Sequence, residues 1–287
     1  HRVSIPPLPE QRAIAEILSS IDDKIELNNQ MNRTLEAMAQ AIFKQWFVDF
    51  KYPTSSTLPL SKGEMSRSDR GGGKLIDSEL GPIPEGWECV YYTDIINVLG
   101  GGTPSKSNDT YWNGNIPFFT PKDIENSSYI FITEDYITKE GLQNCNSKLY
   151  PKNTVFITAR GTVGKICLAG IDMAMNQSCY ALAGIENIGQ YFVYLQTLDL
   201  ISRLKQISHG SVFNTITTDT FRKIKIIKPD TRILHLFEKT VSPIFDMINN
   251  KTIESQTLSA LRDSLLPKLM SGELRVPEEI VKRYENV

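Results

Sequence analysis

The stretches PEQRAIAEILSSIDDKIELNNQ (Pro9–Gln30) and PDTRILHLFEKTVSPIFDMINN (Pro229–Asn250) decide how this chain folds. Each opens on a proline, places an arginine three residues on (Arg12, Arg232), and runs through a spaced apolar pattern into an asparagine pair. Ile14, Ile17, Ile21 and Ile25 align with Leu234, Phe237, Val241 and Phe245; Asn28-Asn29 aligns with Asn249-Asn250 after one residue of slippage. One helical pattern is thus stated twice, with residues 31–228 between the two statements.

From Pro9 the spacing predicts one long helix. Proline suits a helix start, and Glu10 lies in the first turn, where the macrodipole favours a carboxylate. Ile14, Leu18, Ile21 and Ile25, then Leu35, Ala39, Ile42 and Trp46, step by four and three as an a/d seam, with Asn28 and Asn32 on the same line. A buried Asn in such a seam costs stability and fixes register. No Gly or Pro occurs between Glu10 and Tyr52, so about 40 residues form a rod of roughly 60 Å, which Pro53 is expected to stop. A long helix laid across a globular core is the competing reading; the narrow, continuous seam favours a coiled coil.

The second helix is expected to pair through Ile233, Phe237, Val241, Ile244 and Ile248, then Leu258, Leu261, Leu265 and Leu269, with Asn249, Asn250 and Lys251 interrupting. Pro243 and Pro267 lie inside this pattern and are expected to bend or break it; Gly272 ends it. Two rods with aligned polar layers pair in few registers, and an antiparallel pair places the intervening domain at one end.

Between the rods the composition changes twice. Residues 53–80, centred on SKGEMSRSDRGGGK, read as a flexible linker with no means of burying a core. Gly71-Gly72-Gly73-Lys74 within it is not a phosphate loop, since no strand leads in and no helical pattern follows. Residues 81–228 carry short β-rich runs (ECVYY, IPFFT, TVFITA, KICLAG, CYALA, KIKII) separated by turn signals, with helical spacing at YTDIINVL and from Ile188 to Ile207. The sum is an α+β protein: a mixed α/β domain plus two long antiparallel coiled-coil helices.

Apolar content of 40% supplies a real core, and no apolar run approaches a membrane span. Cys89, Cys145, Cys167 and Cys179 lack C-x-x-C spacing and do not pair with His1, His209 and His235 at ligand distances, so they read as reduced thiols of a cytoplasmic protein and no metal site is expected. The N-terminus HRVSIPPLPE is not a signal peptide, and a chain opening on His1 reads as a fragment or a processed product. The net charge of −2 hides an asymmetry: Thr154–Lys228 has eight Lys/Arg against four Asp/Glu, whereas Trp87–Asn153 has five against eight. One face can be basic while the whole is not.

Catalytic patterns fail on inspection. In ARGTVGKI, Gly161 is two residues too close to Gly164-Lys165 for a P-loop, and Ile166 stands where a Mg²⁺-binding hydroxyl belongs. The Asn/Asp-Pro-Pro-aromatic tetrad of base methyltransferases is absent, Ile116 standing at the first proline's place in NIPF. Neither Gly-x-Ser-x-Gly nor His-Glu-x-x-His occurs. Nucleic-acid contact fits better. The loop GGGTPSKSND offers open backbone N–H groups with Thr103, Ser105 and Lys106; Lys122 follows; TARGTVGK offers Arg160, Thr162 and Lys165; HGSVFNT offers His209, Ser211 and Asn214. Arginine reads guanine and asparagine reads adenine in the major groove. Singly such loops are ordinary turns; three in one domain with a basic second half form a candidate interface.

The chain resembles the specificity subunits of type I restriction–modification systems. LPEQRAIAEIL, DDKIELNNQMNRTLEAMAQAIFKQWF, LGPIPEGWE, GGTPSKSNDTYWNGNIPFFTPKDI, VFITARGTVGKICLAGIDMAMNQSCYALAG, GSVFNTITTDTFRKIKIIKP and LLPKLMSGELRV are similar to successive parts of that family. The resemblance implies a division into 1–52 (end of a preceding domain and first long helix), 53–80 (linker), 81–228 (target recognition domain) and 229–287 (second long helix and tail). It implies a non-catalytic chain that binds double-stranded DNA and modification (methyltransferase) subunits, and through them the restriction subunit. Catalysis with S-adenosylmethionine, ATP and Mg²⁺ then belongs to those partners, with no cofactor in this chain. The family carries two recognition domains per subunit, whereas this chain shows one between both helical regions, which implies a truncated subunit or a half-subunit that dimerises through its helices. A coiled-coil adaptor whose middle domain binds protein, and a methyltransferase-related enzyme, are the alternatives; DNA footprinting and S-adenosylmethionine binding discriminate them.

Overall fold

The computed structural model describes residues 6–53, 74–124, 127–207 and 215–284. The opening HRVSI, the centre of the linker, and the expected contacts His209, Ser211 and Asn214 lie outside the described residues. In chain order the elements are α1 (Leu8–Phe43), β1 (Leu75–Ile76), β2 (Ile83–Pro84), β3 (Glu88–Tyr91), β4 (Ile96–Gly100), β5 (Trp112–Phe119), β6 (Tyr129–Ile130), β7 (Asp135–Ile137) and α2 (Lys139–Gln143). Then follow β8 (Val155–Thr158), β9 (Ile166–Ala169), β10 (Ala174–Met175), β11 (Cys179–Gly184), α3 (Gln190–Ile207), α4 (Thr218–Lys223), β12 (Lys225–Lys228), α5 (Thr231–Ser271) and α6 (Glu278–Val281). The chain forms two compact units, His1–Leu35 with Asp246–Val287, and Glu36–Phe245.

In the first unit α1 and α5 pair antiparallel. Arg275 Nη1 donates to Glu10 Oε2 at 2.8 Å, Arg262 Nη1 to Asp22 Oδ1 at 2.6 Å, Asn28 Nδ2 to Glu254 Oε2 at 3.1 Å, and Asn32 Nδ2 to Thr252 Oγ1 at 3.2 Å. Partner numbers fall from Arg275, just past α5, to Thr252 within it as they rise along α1. The apolar part of the seam closes on Ala13, Ile14, Leu269 and Val276, with Ile17, Leu18 and Leu265 packed against them. Ile14, Asn28, Asn32 and Leu35 are buried, and Leu18, Ile21 and Ile25 half-buried, as the four-three spacing requires.

Leu261 does not join the seam: it is 46% exposed. At 3.6 residues per turn the buried line of α5 drifts off a strict heptad, and Arg262, bonded to Asp22, takes the inward place at that level. Pro243 and Pro267 do not break α5, which runs unbroken from Thr231 to Ser271. Both prolines are exposed, as are Lys239 and Asp263 one turn earlier, so water can take the carbonyls that lose their helical N–H partner.

The polar layer is incompletely paired. Asn28, Asn32 and Asn249 are buried, and their Oδ1 atoms, with Ser255 Oγ, accept no hydrogen bond among the described residues. Thr252 already donates to Ile248 O, so removing Asn32 strands no donor. Asn32→Leu is therefore expected to stabilise the helix pair by about 1 kcal/mol. Urea denaturation followed by helical circular dichroism checks this; a loss of stability would mean that the asparagine is fully satisfied.

The second unit joins sheets and helices. A five-stranded sheet runs in the order β4-β11-β8-β9-β6, antiparallel except for the parallel β6/β9 edge. A three-stranded sheet, β10-β5-β7, pairs β5 parallel with β10 and antiparallel with β7. The period-two alternation of β5 serves two cores: Phe119 packs with Phe156, Cys167 and Met175, while Phe118 packs with Ile137 and Ala174. β3 pairs with β12, so the start and finish of the domain lie side by side. Residues 75–84, at the end of the expected linker, form the small β1–β2 pair.

The helix expected at YTDIINVL is instead a short 3₁₀ turn, Tyr92–Asp94, followed by β4. Asp94 accepts the Tyr91 N–H and closes the turn, and the β-branched Ile96 and Val98 pair with Gly184 and Leu182 of β11. α3 buries Tyr191–Thr197, with Thr197 Oγ1 bonded to Tyr92 Oη at 2.7 Å. Along α5, Leu234, Phe237, Val241 and Phe245 are fully buried whereas Ile233 and Ile244 are half-buried. The inward line is therefore the one aligned with the first helix, one residue away from the expected Ile233 and Ile244. Helical backbone beyond α1 continues as a π turn, Lys44–Val48, and ends there rather than at Pro53. Phe50, at φ 55°, turns the chain and sets its ring against Trp87 at 5.6 Å between centroids.

Candidate nucleic-acid interface

Two of the loops singled out by sequence, 101–106 and 159–165, come together at one rim of the second unit, at the C-terminal ends of β4 and β8; the third, from His209 to Asn214, lies outside the described residues. The tight turn Asn176–Cys179 joins them. Gly102 N donates to Met175 O at 3.0 Å and Asn176 N to Phe119 O at 2.9 Å. On the other side Ala159 N donates to Ser178 O at 2.8 Å, and Ile216 N, where the chain is described again after residue 214, donates to Ala159 O at 3.0 Å. Gly101 permits the approach: a Cβ there would stand 2.1 Å from Asn176 O.

Buried Thr158 shapes the Arg160 loop. Its hydroxyl donates to Thr162 O and accepts from Lys165 N at 3.0 Å. Gly161 and Gly164 take φ values of +77° and +76°, which close the loop around that hydroxyl. Arg160 and Thr162 are exposed at its tip. The Arg160 side chain has no hydrogen-bond or ion-pair partner among the described residues, so its guanidinium is available to a ligand.

The remaining candidates are placed differently. Lys165 bends back, its Nζ donating to Ile124 O at 3.3 Å, and straps two loops together. Ser105 Oγ bonds Ser107 Oγ at 2.8 Å, while Ser105 O accepts from Trp112 Nε1 at 3.1 Å. Lys106 stands at an open cleft of about 510 Å³ with Asp109, Glu134 and Asp135, and Lys122 pairs with Glu134 at 3.6 Å. Both lysines therefore sit among carboxylates rather than in a basic patch. Thr103 donates its hydroxyl to Gln177 Oε1. Sequence reading passed over Gln177, although the Asn-x-Ser before a strand signals the Asx turn that presents it: Asn176 Oδ1 accepts from Ser178 N at 2.9 Å.

Burial pushes the Cys179 thiol up to about 12 and the Cys167 thiol well above its ordinary value, so both stay protonated in the core. Among the described residues no group of three or more His, Cys, Asp or Glu side chains is placed to hold a metal ion, and no helix is long and apolar enough to cross a membrane.

An α+β domain with converging strand-end loops, together with a long antiparallel helix pair, defines the class of the type I specificity proteins. The chain belongs to that family: the family described as "Type I restriction modification DNA specificity domain" matches residues 1–37 and 84–260. The type I restriction enzyme HindI specificity subunit of Haemophilus influenzae is 30% identical over 95% of this chain and 69% of its own length. The MjaIX specificity subunit of Methanocaldococcus jannaschii is 31% identical over 96% of this chain and 62% of its own length. The solved type I restriction–modification S subunit from M. genitalium shares the fold at a TM-score of 0.58 and 16% identity, over 91% of this chain and 60% of that one. The chain thus spans about three-fifths to two-thirds of the length of these relatives.

Proposed function

We propose that this chain binds DNA sequence-specifically as the specificity component of a type I restriction–modification complex. It directs modification and restriction subunits to one part of a bipartite site, while S-adenosylmethionine, ATP and Mg²⁺ chemistry belongs to those partners. The observation that carries this is the rim where loops 101–106, 159–165 and 176–178 meet, with exposed, unpaired Arg160 at its centre. A guanidinium presents a donor fork matched to guanine O6 and N7, and the neighbouring hydroxyls suit phosphate.

Mixing the chain with its modification subunit and mapping methylated adenines tests the proposal; methylation without sequence preference would refute it. Arg160→Ala is expected to relax selection at one base pair by about 1–3 kcal/mol, read as the ratio of binding to cognate and scrambled duplexes. An equal fall on both duplexes would make Arg160 a phosphate clamp. Overall affinity should fall steeply with salt, since phosphate contacts release counterions.

A further inference from the structure

We propose that Gln177 reads a base edge beside Arg160, acting as a hydrogen-bond donor whose orientation Thr103 sets; this rests on the DNA-reading function above. Gln177 is exposed at the tip of the turn that joins the loops. Its backbone is held on both sides. Asn176 N bonds Phe119 O at 2.9 Å, and Ser178 O accepts from Ala159 N at 2.8 Å and from Arg160 N at 3.3 Å. Gln177 and Arg160 therefore cannot shift independently along the rim.

The side chain is held as well. Thr103 Oγ1 donates to Gln177 Oε1, so the oxygen side of the amide is engaged and Nε2 is left without a partner among the described residues. A glutamine reading adenine uses both ends of its amide, accepting from N6 and donating to N7. Thr103 holds one lone pair of the oxygen and ties that end of the amide to the protein, so the two free N–H groups are the end left to turn toward DNA; they complement an acceptor edge: guanine O6 and N7, or thymine O4. Arg160 next to it also donates only. The two residues together select neighbouring bases that present acceptors in the major groove, and Thr103 is a positioning residue for that choice.

The test uses the full chain with its modification subunit, comparing methylated motifs for the wild type and for Gln177→Ala, Gln177→Glu and Thr103→Val. Gln177→Ala is expected to lose discrimination at one guanine or thymine position by about fivefold or more. Gln177→Glu, which replaces donors by acceptors, should lose the cognate motif. Thr103→Val should admit adenine at the same position, because the amide, no longer held by the Thr103 hydroxyl, can rotate to offer both its ends. Melting curves confirm that the substitutions at exposed Gln177 and half-buried Thr103 leave the fold intact. An unchanged motif in Gln177→Ala overturns this assignment alone, as does equal weakening on cognate and scrambled DNA, which marks a backbone contact. A wild-type complex with no sequence preference overturns the function and the assignment together.

Discussion

Phe237→Ala is expected to destabilise the Glu36–Phe245 unit by about 3–5 kcal/mol. Phe237 is fully buried. Its ring lies 4.8 Å from Phe47, 5.7 Å from Trp46, 6.1 Å from Phe43 and 6.4 Å from Phe192, all in edge-on arrangements. These residues come from the end of α1, the π turn after it, α3 and α5, so one side chain ties four segments. Truncation removes the transfer free energy of the ring, leaves a cavity, and forfeits edge-to-face contacts of about 0.5–1.5 kcal/mol each. Neighbouring aromatics are rigid and fill such a void poorly. Trp46 and Trp87 stand in the same cluster, so tryptophan fluorescence during urea unfolding reads the effect directly. Phe237→Leu keeps much of the volume and should cost less than half as much. A loss below about 1 kcal/mol for the alanine variant would show that the cluster collapses around the gap, which the tight packing of interiors argues against.

The same cluster shows how much of the fold could be read beforehand. The aligned patterns in the two long helices were legible because a 3.6-residue period leaves its mark on sequence whatever the partner. Phe237 and Val241 stood out for that reason, and Asn28 and Asn32 stood out as breaks in it. Phe245 fits the aligned pattern and Ile244 the pairing seam, because neighbouring apolar residues satisfy the period almost equally, and only packing, which buries Phe245, separates them. In Tyr92–Leu99, "DIINVL" suits a helix face and a buried strand alike, and pairing with β11, about 80 residues on, decides for the strand. Pro243 and Pro267 misled because sequence does not say which side of a helix faces water.

At the candidate interface, Arg160 and Thr103 carried their own chemical signal. Gln177 carries none beyond a turn, since the role proposed for it depends on Thr103, Phe119 and Ala159 meeting in space. Conversely, Lys106 and Lys122 looked basic in sequence and lie among carboxylates that the chain supplies from Asp109 and Glu134.

Glu238 is expected to make the second unit less stable as pH rises from 4.5 to about 7. Its carboxylate reaches from α5 to the start of α3, where Oε1 accepts the Phe192 N–H at 2.7 Å and the Tyr191 N–H also contributes. Burial pushes its pKa up to about 7, against the downward pull of those two N–H groups. The folded protein thus holds a proton that the unfolded chain, titrating near 4.5, releases earlier. Stability from this group is fully present below pH 4.5, is lost as pH rises through the folded value, and is constant above it, a difference of about 3 kcal/mol. Glu238→Gln keeps an acceptor for the helix N-terminus without the titration. The variant should match the wild type near pH 4.5 and exceed it at pH 8, with the gap opening between those limits. Urea midpoints of both proteins across that range isolate this residue from other titrating groups, because only their difference is read. A flat difference would mean that the N–H groups hold the carboxylate charged in spite of its burial.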